Sequence, residues 1–204
     1  MESVFAFLHA MIGERPVEIA AFFLGLANII LLVRRSIWNY PFGIVMVSLY
    51  GWIFYGEKLY SDVLLQIFFF VVQIYGWAHW MGRRDEAGRV IVTALGGRAA
   101  LAYALAALAG VAALGGFMAT YTDASFPFWD ASVAVLSVIA QILLARRRLE
   151  NWLVWVGVDA LAIGLYWTKG LYPTAALYTL FLVIAAIGYV NWRRAFARGE
   201  AIEE

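Results

Sequence analysis

The sequence predicts an all-α polytopic membrane protein, and three observations carry that prediction. Hydrophobic residues make up 64% of the 204 residues and charged residues only 14%, where a soluble domain carries about a quarter charged residues. The apolar residues fall in several runs of roughly 17 to 25, the length that spans a hydrocarbon core. The basic residues cluster at the ends of those runs. There is no cysteine, which removes disulfides and thiolate metal sites. The net charge of +1 gives no ground for a nucleic-acid partner, because the arginines sit at helix ends.

Seven spans are expected. Helix one covers about Val17–Val33 and helix two about Trp38–Tyr55, with Pro41 in the first turn, where its missing N–H costs nothing. Helix three covers about Ser61–Met81 and helix four the Ala-rich segment Ala99–Tyr121. Helix five covers Phe128–Ala145, helix six Asn151–Thr168 and helix seven Tyr172–Trp192. Gly56, Gly82, Gly96-Gly97 and Gly170 punctuate the ends, and Pro173 opens the last span. Met1–Gly13 carries Glu2, no basic start and no small-residue cleavage site, so it reads as an interfacial helix rather than a signal peptide.

Charge orients the spans. With the N-terminus outside, the segments facing the cytoplasm hold 12 of the basic residues and the outer segments hold only Arg15, Lys58 and Lys169. The positive-inside rule therefore predicts N-out, C-in and an odd number of spans.

Shifted by 112 positions, the chain pairs with itself without a gap: Ile30-Leu31-Leu32 with Ile142-Leu143-Leu144, Arg34-Arg35 with Arg146-Arg147, and Asn39 with Asn151. Leu59-Tyr60 pairs with Leu171-Tyr172, and Phe69, Gly76 and Trp80 pair with Phe181, Gly188 and Trp192. Paired leucines mean little in a membrane protein; paired Arg, Asn, Tyr, Gly and Trp mean more. Helices one to three thus repeat as five to seven around helix four, a 3+1+3 parallel repeat. The expected organisation is an interfacial segment (1–15), a first three-helix repeat (16–84), a linker with helix four (85–124), a second repeat (125–194) and a cytoplasmic tail (195–204). Pseudo-symmetric halves of this kind build transporters that bind substrate between them.

The polar residues inside the spans are the candidate site. Asn151, Trp155 and Asp159 run i, i+4, i+8 on helix six, and Trp152 joins that face seven positions before Asp159. A carboxylate at mid-span costs roughly 2.5–3.5 kcal/mol on insertion scales and is functional by default. With indoles beside it, a cationic aromatic ligand would suit it through charge and cation–π attraction. The alternative is a structural acid bonded to backbone or to a tyrosine. Helix three carries Asp62, Gln66, Phe69 and Gln73 on one stripe. Gln66 and Gln73 offer amides to a ligand or glue between helices, and Asp62 starts the helix, where negative charge meets the dipole. Tyr178 holds the repeat position of Gln66 and is placed in the same site. Trp129 is read as belt or lid, Asp130 as a cap, and Asn28 and Gln141 as packing glue. Trp38, Trp80 and Trp192 are expected as interfacial anchors. His9 and His79 have no acidic partners at ligand spacing, so no metal is expected. With no Walker loop, no Ser/His/Asp set and no paired intramembrane carboxylates, neither an enzyme nor a cofactor is expected.

The stretches Phe126-Pro127-Phe128-Trp129-Asp130, Glu150-Asn151-Trp152-Leu153-Val154-Trp155 with Asp159, and Leu64-Leu65-Gln66-Ile67-Phe68-Phe69-Phe70 followed by Ile74-Tyr75-Gly76-Trp77 resemble the PnuC family of bacterial vitamin-precursor transporters. The resemblance runs from helix one to helix seven. It implies a fold like a full-length SWEET and facilitated uptake of nicotinamide riboside across the inner membrane, with trapping by a separate cytoplasmic kinase. It also implies a homotrimer. Carried over, the family's helix-six motif falls on Asn151, Trp152, Trp155 and Asp159, and its helix-three glutamine on Gln66. The chain has Asp159 and Gln73 where nicotinamide riboside carriers have Asn. Thiamine, also a flat cation, and a proton-coupled carrier stay open at this point. A non-transporting receptor or assembly subunit is the reading from another class.

Overall fold

The computed structural model describes residues 16–56, 60–83, 88–170 and 172–198. Within them the chain forms seven helices: α1 (Pro16–Val33), α2 (Asn39–Gly56), α3 (Tyr60–Met81), α4 (Gly97–Tyr121), α5 (Pro127–Ala145), α6 (Asn151–Thr168) and α7 (Tyr172–Ala197). Each lies within a few residues of its expected span. The largest difference is at α7, which continues past Trp192 to Ala197. No Gly or Pro interrupts that stretch, and Trp192 and Ala195 are both buried, so packing carries the helix onward. The interfacial helix expected at the N-terminus and the last residues of the tail lie outside the described residues.

Four helices hold stretches long and apolar enough to cross a bilayer by length and composition: Val63–Met81, Gly97–Tyr121, Pro127–Ala145 and Ala175–Ala197. Helix α6 spends its 18 residues partly on Asn151, Asp159 and three tryptophans, which lowers its apolar character. The outward side chains fit lipid. Leu101, Leu105 and Leu108 on α4, and Leu180, Val183 and Ile187 on α7, are exposed.

The chain divides into two compact units, Met1–Gly82 and Arg83–Glu204. In the first, α1 packs on α2 and α2 on α3. The turn after α1 closes with Arg35 N–H donating to Leu32 O (2.9 Å) and Ser36 N–H to Leu31 O (2.9 Å). This is a Schellman-type end, and it puts Arg35 in the left-handed region at φ 59°. Asn39 then starts α2, its Nδ2 donating to Ser36 O at 2.7 Å. Asn28 of α1 donates to Asn39 O at 2.7 Å, so it does act as glue. Tyr40 meets Trp80 edge-on, 5.0 Å between centroids. Gly76 allows this approach, since a Cβ there would lie 2.7 Å from the Tyr40 ring.

In the second unit α4 packs on α5, α5 on α6 and α6 on α7. The turn after α5 makes the same bonds: Arg147 N–H to Leu144 O (2.9 Å) and Arg148 N–H to Leu143 O (2.9 Å), with Arg147 at φ 64°. Asn151 Nδ2 donates to Arg148 O at 2.6 Å. Trp152 meets Trp192 edge-on at 5.6 Å, over Gly188, whose Cβ would lie 2.6 Å from the indole. Trp80 and Trp192 are thus fully buried rather than interfacial. Each packs edge-on against a ring that is itself seated on a glycine, Tyr40 on Gly76 and Trp152 on Gly188, and that packing outweighs an indole's preference for the headgroup level. Trp38 alone of the three expected anchors is exposed.

A strap of extended chain precedes α4. Thr93 N–H donates to Arg147 O (3.0 Å) and Leu149 N–H to Thr93 O (2.8 Å). The Arg147 guanidinium donates to Ile91 O (3.0 Å) and that of Arg148 to Ala94 O (2.8 Å). Leu95 N–H donates to Glu150 Oε1 at 3.1 Å. Val90, Val92 and Thr93 are buried beneath these bonds.

Candidate functional site

Asp159 is the residue on which the site turns. It lies midway along α6 and is only 3% exposed. Nothing in the local sequence prevents the helix: Gly157 and Gly164 are the weakest formers around it, and packing on α5 and α7 holds the segment. Among the described residues no hydrogen bond reaches its carboxylate. Tyr178 of α7 lies within electrostatic reach of it. Tyr178 stacks on Tyr166 of α6 (centroids 5.3 Å, interplanar 30°) and meets Phe181 edge-on at 5.8 Å. Tyr166 was not among the residues singled out from sequence. It lies seven positions after Asp159, on the same helical face, so the spacing that grouped Asn151, Trp155 and Asp159 extends to it.

Trp129, on the first turn of α5, donates its indole N–H to Leu161 O at 2.9 Å. Its ring rests on Gly164, where a Cβ would come within 2.8 Å of it. Asp130 makes no cap bond; its carboxylate pairs with Lys169 at 3.2 Å. Trp155 is half-buried on α6. Asn151 is fully buried, with its amide nitrogen on its own turn and Oδ1 left without a partner. Trp152 is buried against Gly188 and Trp192, and its Nε1 also lacks a partner. The structure thus brings Tyr166 and Tyr178 together, with Asp159 in electrostatic reach of Tyr178, and holds Asn151 and Trp152 about two turns before Asp159 at the start of the helix.

In the first unit Gln66 is half-buried on α3, its Cβ 3.6 Å from the place a Cβ of Gly51 would occupy. Phe69 is half-buried, its ring 5.6 Å from that of Phe68. Gln73 is buried. Its amide lies against Gly43, as does Asn28 Nδ2, 2.7 Å from where a Gly43 Cβ would sit. The side chain of Asp62 lies outside the described residues. Among the described residues no group of three or more His, Asp or Glu is placed to hold a metal ion.

Apolar helices fit to cross a bilayer, with an acid and amides inside them, mark a multi-pass membrane protein, and its matches are transporters. The comparisons name its kind. The family described as nicotinamide mononucleotide transporter matches residues 15–194, and the chain belongs to this family, that of the PnuC transporters. The nicotinamide riboside transporter PnuC of Escherichia coli strain K12 is 30% identical, the match covering 82% of this chain and 81% of that one. The riboflavin/roseoflavin transporter RibM of Streptomyces davaonensis is 28% identical, covering 83% and 80%. A crystal structure of the vitamin B3 transporter PnuC superposes with a TM-score of 0.72 at 26% identity, covering 96% of this chain and 88% of that one.

Proposed function

We propose that the protein is a uniporter for nicotinamide riboside in the bacterial inner membrane, with the N-terminus outside and the C-terminus in the cytoplasm. All seven helices cross the bilayer as a 3+1+3 parallel repeat, and three copies assemble. A separate cytoplasmic kinase phosphorylates the ligand and keeps its free concentration low, so no ion gradient is needed.

The observation that carries the reading is Asp159. A mid-span carboxylate buried beside stacked tyrosine rings has no arginine or lysine partner among the described residues. Such a group is stabilised by a cation arriving with its own flat ring, and nicotinamide riboside is that kind of molecule. In this reading Asp159 offsets the pyridinium charge, and Trp155, with Tyr178 and Tyr166, supplies ring faces. Trp129 closes the outer part of α6, while Asn151 and Trp152 frame its start. Gln66, with Phe69 on the same helix, supplies amide and ring contacts to carboxamide or ribose, while the Gln73 amide packs against Gly43. The family match and the names of the relatives support the substrate class. The repeat is supported by turns and ring pairs that recur 112 residues apart.

One observation favours a second substrate. The riboflavin/roseoflavin carrier is 28% identical against 30% for the nicotinamide riboside carrier. Riboflavin is neutral and gains nothing from Asp159. Titration of the purified protein with nicotinamide riboside, thiamine and riboflavin side by side decides between them. Binding of nicotinamide riboside that Asp159→Ala weakens is the expected result. Tighter binding of riboflavin, unchanged by that substitution, removes the assignment.

A further inference from the structure

The C-terminal part of α7 carries a feature that transport does not use. Leu180, Val183, Ile187 and Val190 follow one another at steps of three, four and three residues. They form a single stripe along the helix, and each is about half exposed. Three and four residues beyond Val190 come Arg193 and Arg194, both exposed. An open groove at this point is lined by Tyr189, Val190, Arg193, Arg194 and Ala197. Among the described residues neither guanidinium has an ion-pair or hydrogen-bond partner. The opposite face of the same turns is sealed, with Trp192 and Ala195 fully buried, so the two arginines are held outward by a packed helix rather than by a loose tail.

Arginine at a helix C-terminus is favoured by the dipole alone, and that accounts for one or two positive charges at this end. It does not account for a groove between them that runs into a hydrocarbon-facing stripe. A guanidinium presents planar paired donors suited to phosphate, and the stripe presents about ten residues of apolar ridge directly beneath. We propose that this groove is a binding site for an anionic phospholipid. The phosphodiester lies on Arg193 and Arg194, the glycerol region lies against Tyr189, and one acyl chain runs along Val190, Ile187, Val183 and Leu180. Charge complementarity selects the headgroup, and the uninterrupted ridge selects a lipid over a soluble phosphate.

The test uses the full chain in detergent, followed by native mass spectrometry with added dioleoyl phosphatidylglycerol or dioleoyl phosphatidylcholine. Phosphatidylglycerol adducts are expected to persist where phosphatidylcholine adducts dissociate. The paired substitution Arg193→Gln and Arg194→Gln is expected to lower phosphatidylglycerol affinity by roughly fivefold per arginine. Arg193→Lys with Arg194→Lys retains charge and most of the binding. Arg98→Gln, an exposed arginine on α4 outside the groove, leaves it unchanged. Equal adducts from the paired glutamine variant overturn the site. So does an equal loss from Arg98→Gln, which would mean surface charge without a site. A change in the number of subunits in the intact assembly of the paired glutamine variant, with lipid adducts unaltered, also overturns it, and would assign this face to a second copy of the chain.

Discussion

Helix pairs α2–α3 and α6–α7 share a frame and differ in what fills it. In the first, Tyr40 stands edge-on to Trp80 over Gly76; in the second, Trp152 stands edge-on to Trp192 over Gly188. One turn on, the frames diverge. Gly43 leaves room that the amides of Asn28 and Gln73 take up. The positions 112 later are Trp155, Ala140 and Ala185. A small centre with two long amides has given way to an indole and two alanines, the alanines both buried. One further turn brings Val47 in the first pair and Asp159 in the second, each 3% exposed. The close crossing demands a glycine and a ring. Positions a turn away escape that demand, and there one pair is filled with neutral glue and hydrocarbon while the other gathers an indole and an acid.

The frame itself is where the largest effects are expected. Gly188→Val forces two methyl groups into the Trp152 ring and should cost about 3 kcal/mol, as overpacking of a filled core does. Gly76→Val should cost a similar amount against Tyr40. Thermal unfolding in detergent measures both. If Gly76→Val is tolerated while Gly188→Val is not, the two frames are not equivalent. Trp152→Ala in the Gly188→Val background should recover much of the loss, which a double-mutant cycle detects as coupling.

Exchanging the divergent residues sharpens the contrast between stability and function. Asp159→Val gives α6 the residue of α2 and should raise stability by about 2 kcal/mol, because a buried carboxylate is removed from an apolar segment. The same change should lower nicotinamide riboside flux into proteoliposomes by roughly tenfold or more, as expected when at least about 1.4 kcal/mol of binding is lost. Val47→Asp should only destabilise. A variant Asp159→Val that transports normally would return Asp159 to a structural role.

The two turns should respond alike, and less. Asn39→Ala and Asn151→Ala each remove one amide bond to the preceding turn and should each cost about 1 kcal/mol. Transport by Asn39→Ala is expected to survive at equal expression. A much larger loss of flux than of stability at Asn151→Ala would mean that its free Oδ1 meets the ligand.

Helix boundaries were legible because apolar runs, glycines and prolines act locally. Asn151–Thr168 was read to the residue. The acid on α6 was legible because its cost in a membrane is independent of its neighbours. What surrounds it was only partly so. Tyr166 follows from helical spacing, but Asn28 and Gln73 meeting at Gly43 depends on three helices packing together. Trp80 and Trp192 read as belt residues because the rings that cover them, Tyr40 and Trp152, each lie 40 residues away in sequence. The strap was invisible for the same reason: Thr93 bonds to Arg147 and Leu149 across more than fifty residues, with no periodic signal.

The smallest predicted effect separates strain from anchoring in that strap. Arg147 occupies the left-handed region, which costs a residue with a Cβ about 1 kcal/mol, and its guanidinium holds Ile91 O at 3.0 Å. Arg147→Gly relieves the first and loses the second, a charge-assisted bond of about 1.5 kcal/mol, together with the packing of a buried side chain, so the net loss should be at least about half a kcal/mol. Arg147→Ala loses the bond and keeps the strain, and should be about 1 kcal/mol less stable than the glycine variant. Both should speed hydrogen exchange at the Thr93 and Leu149 amides, whose bonds tie the strap to the turn. If exchange there is unchanged while stability falls, the backbone ladder holds the strap without the arginine. If alanine and glycine are equally stable, the left-handed turn carries no cost, and its recurrence at Arg35 follows from the Schellman-type closure alone.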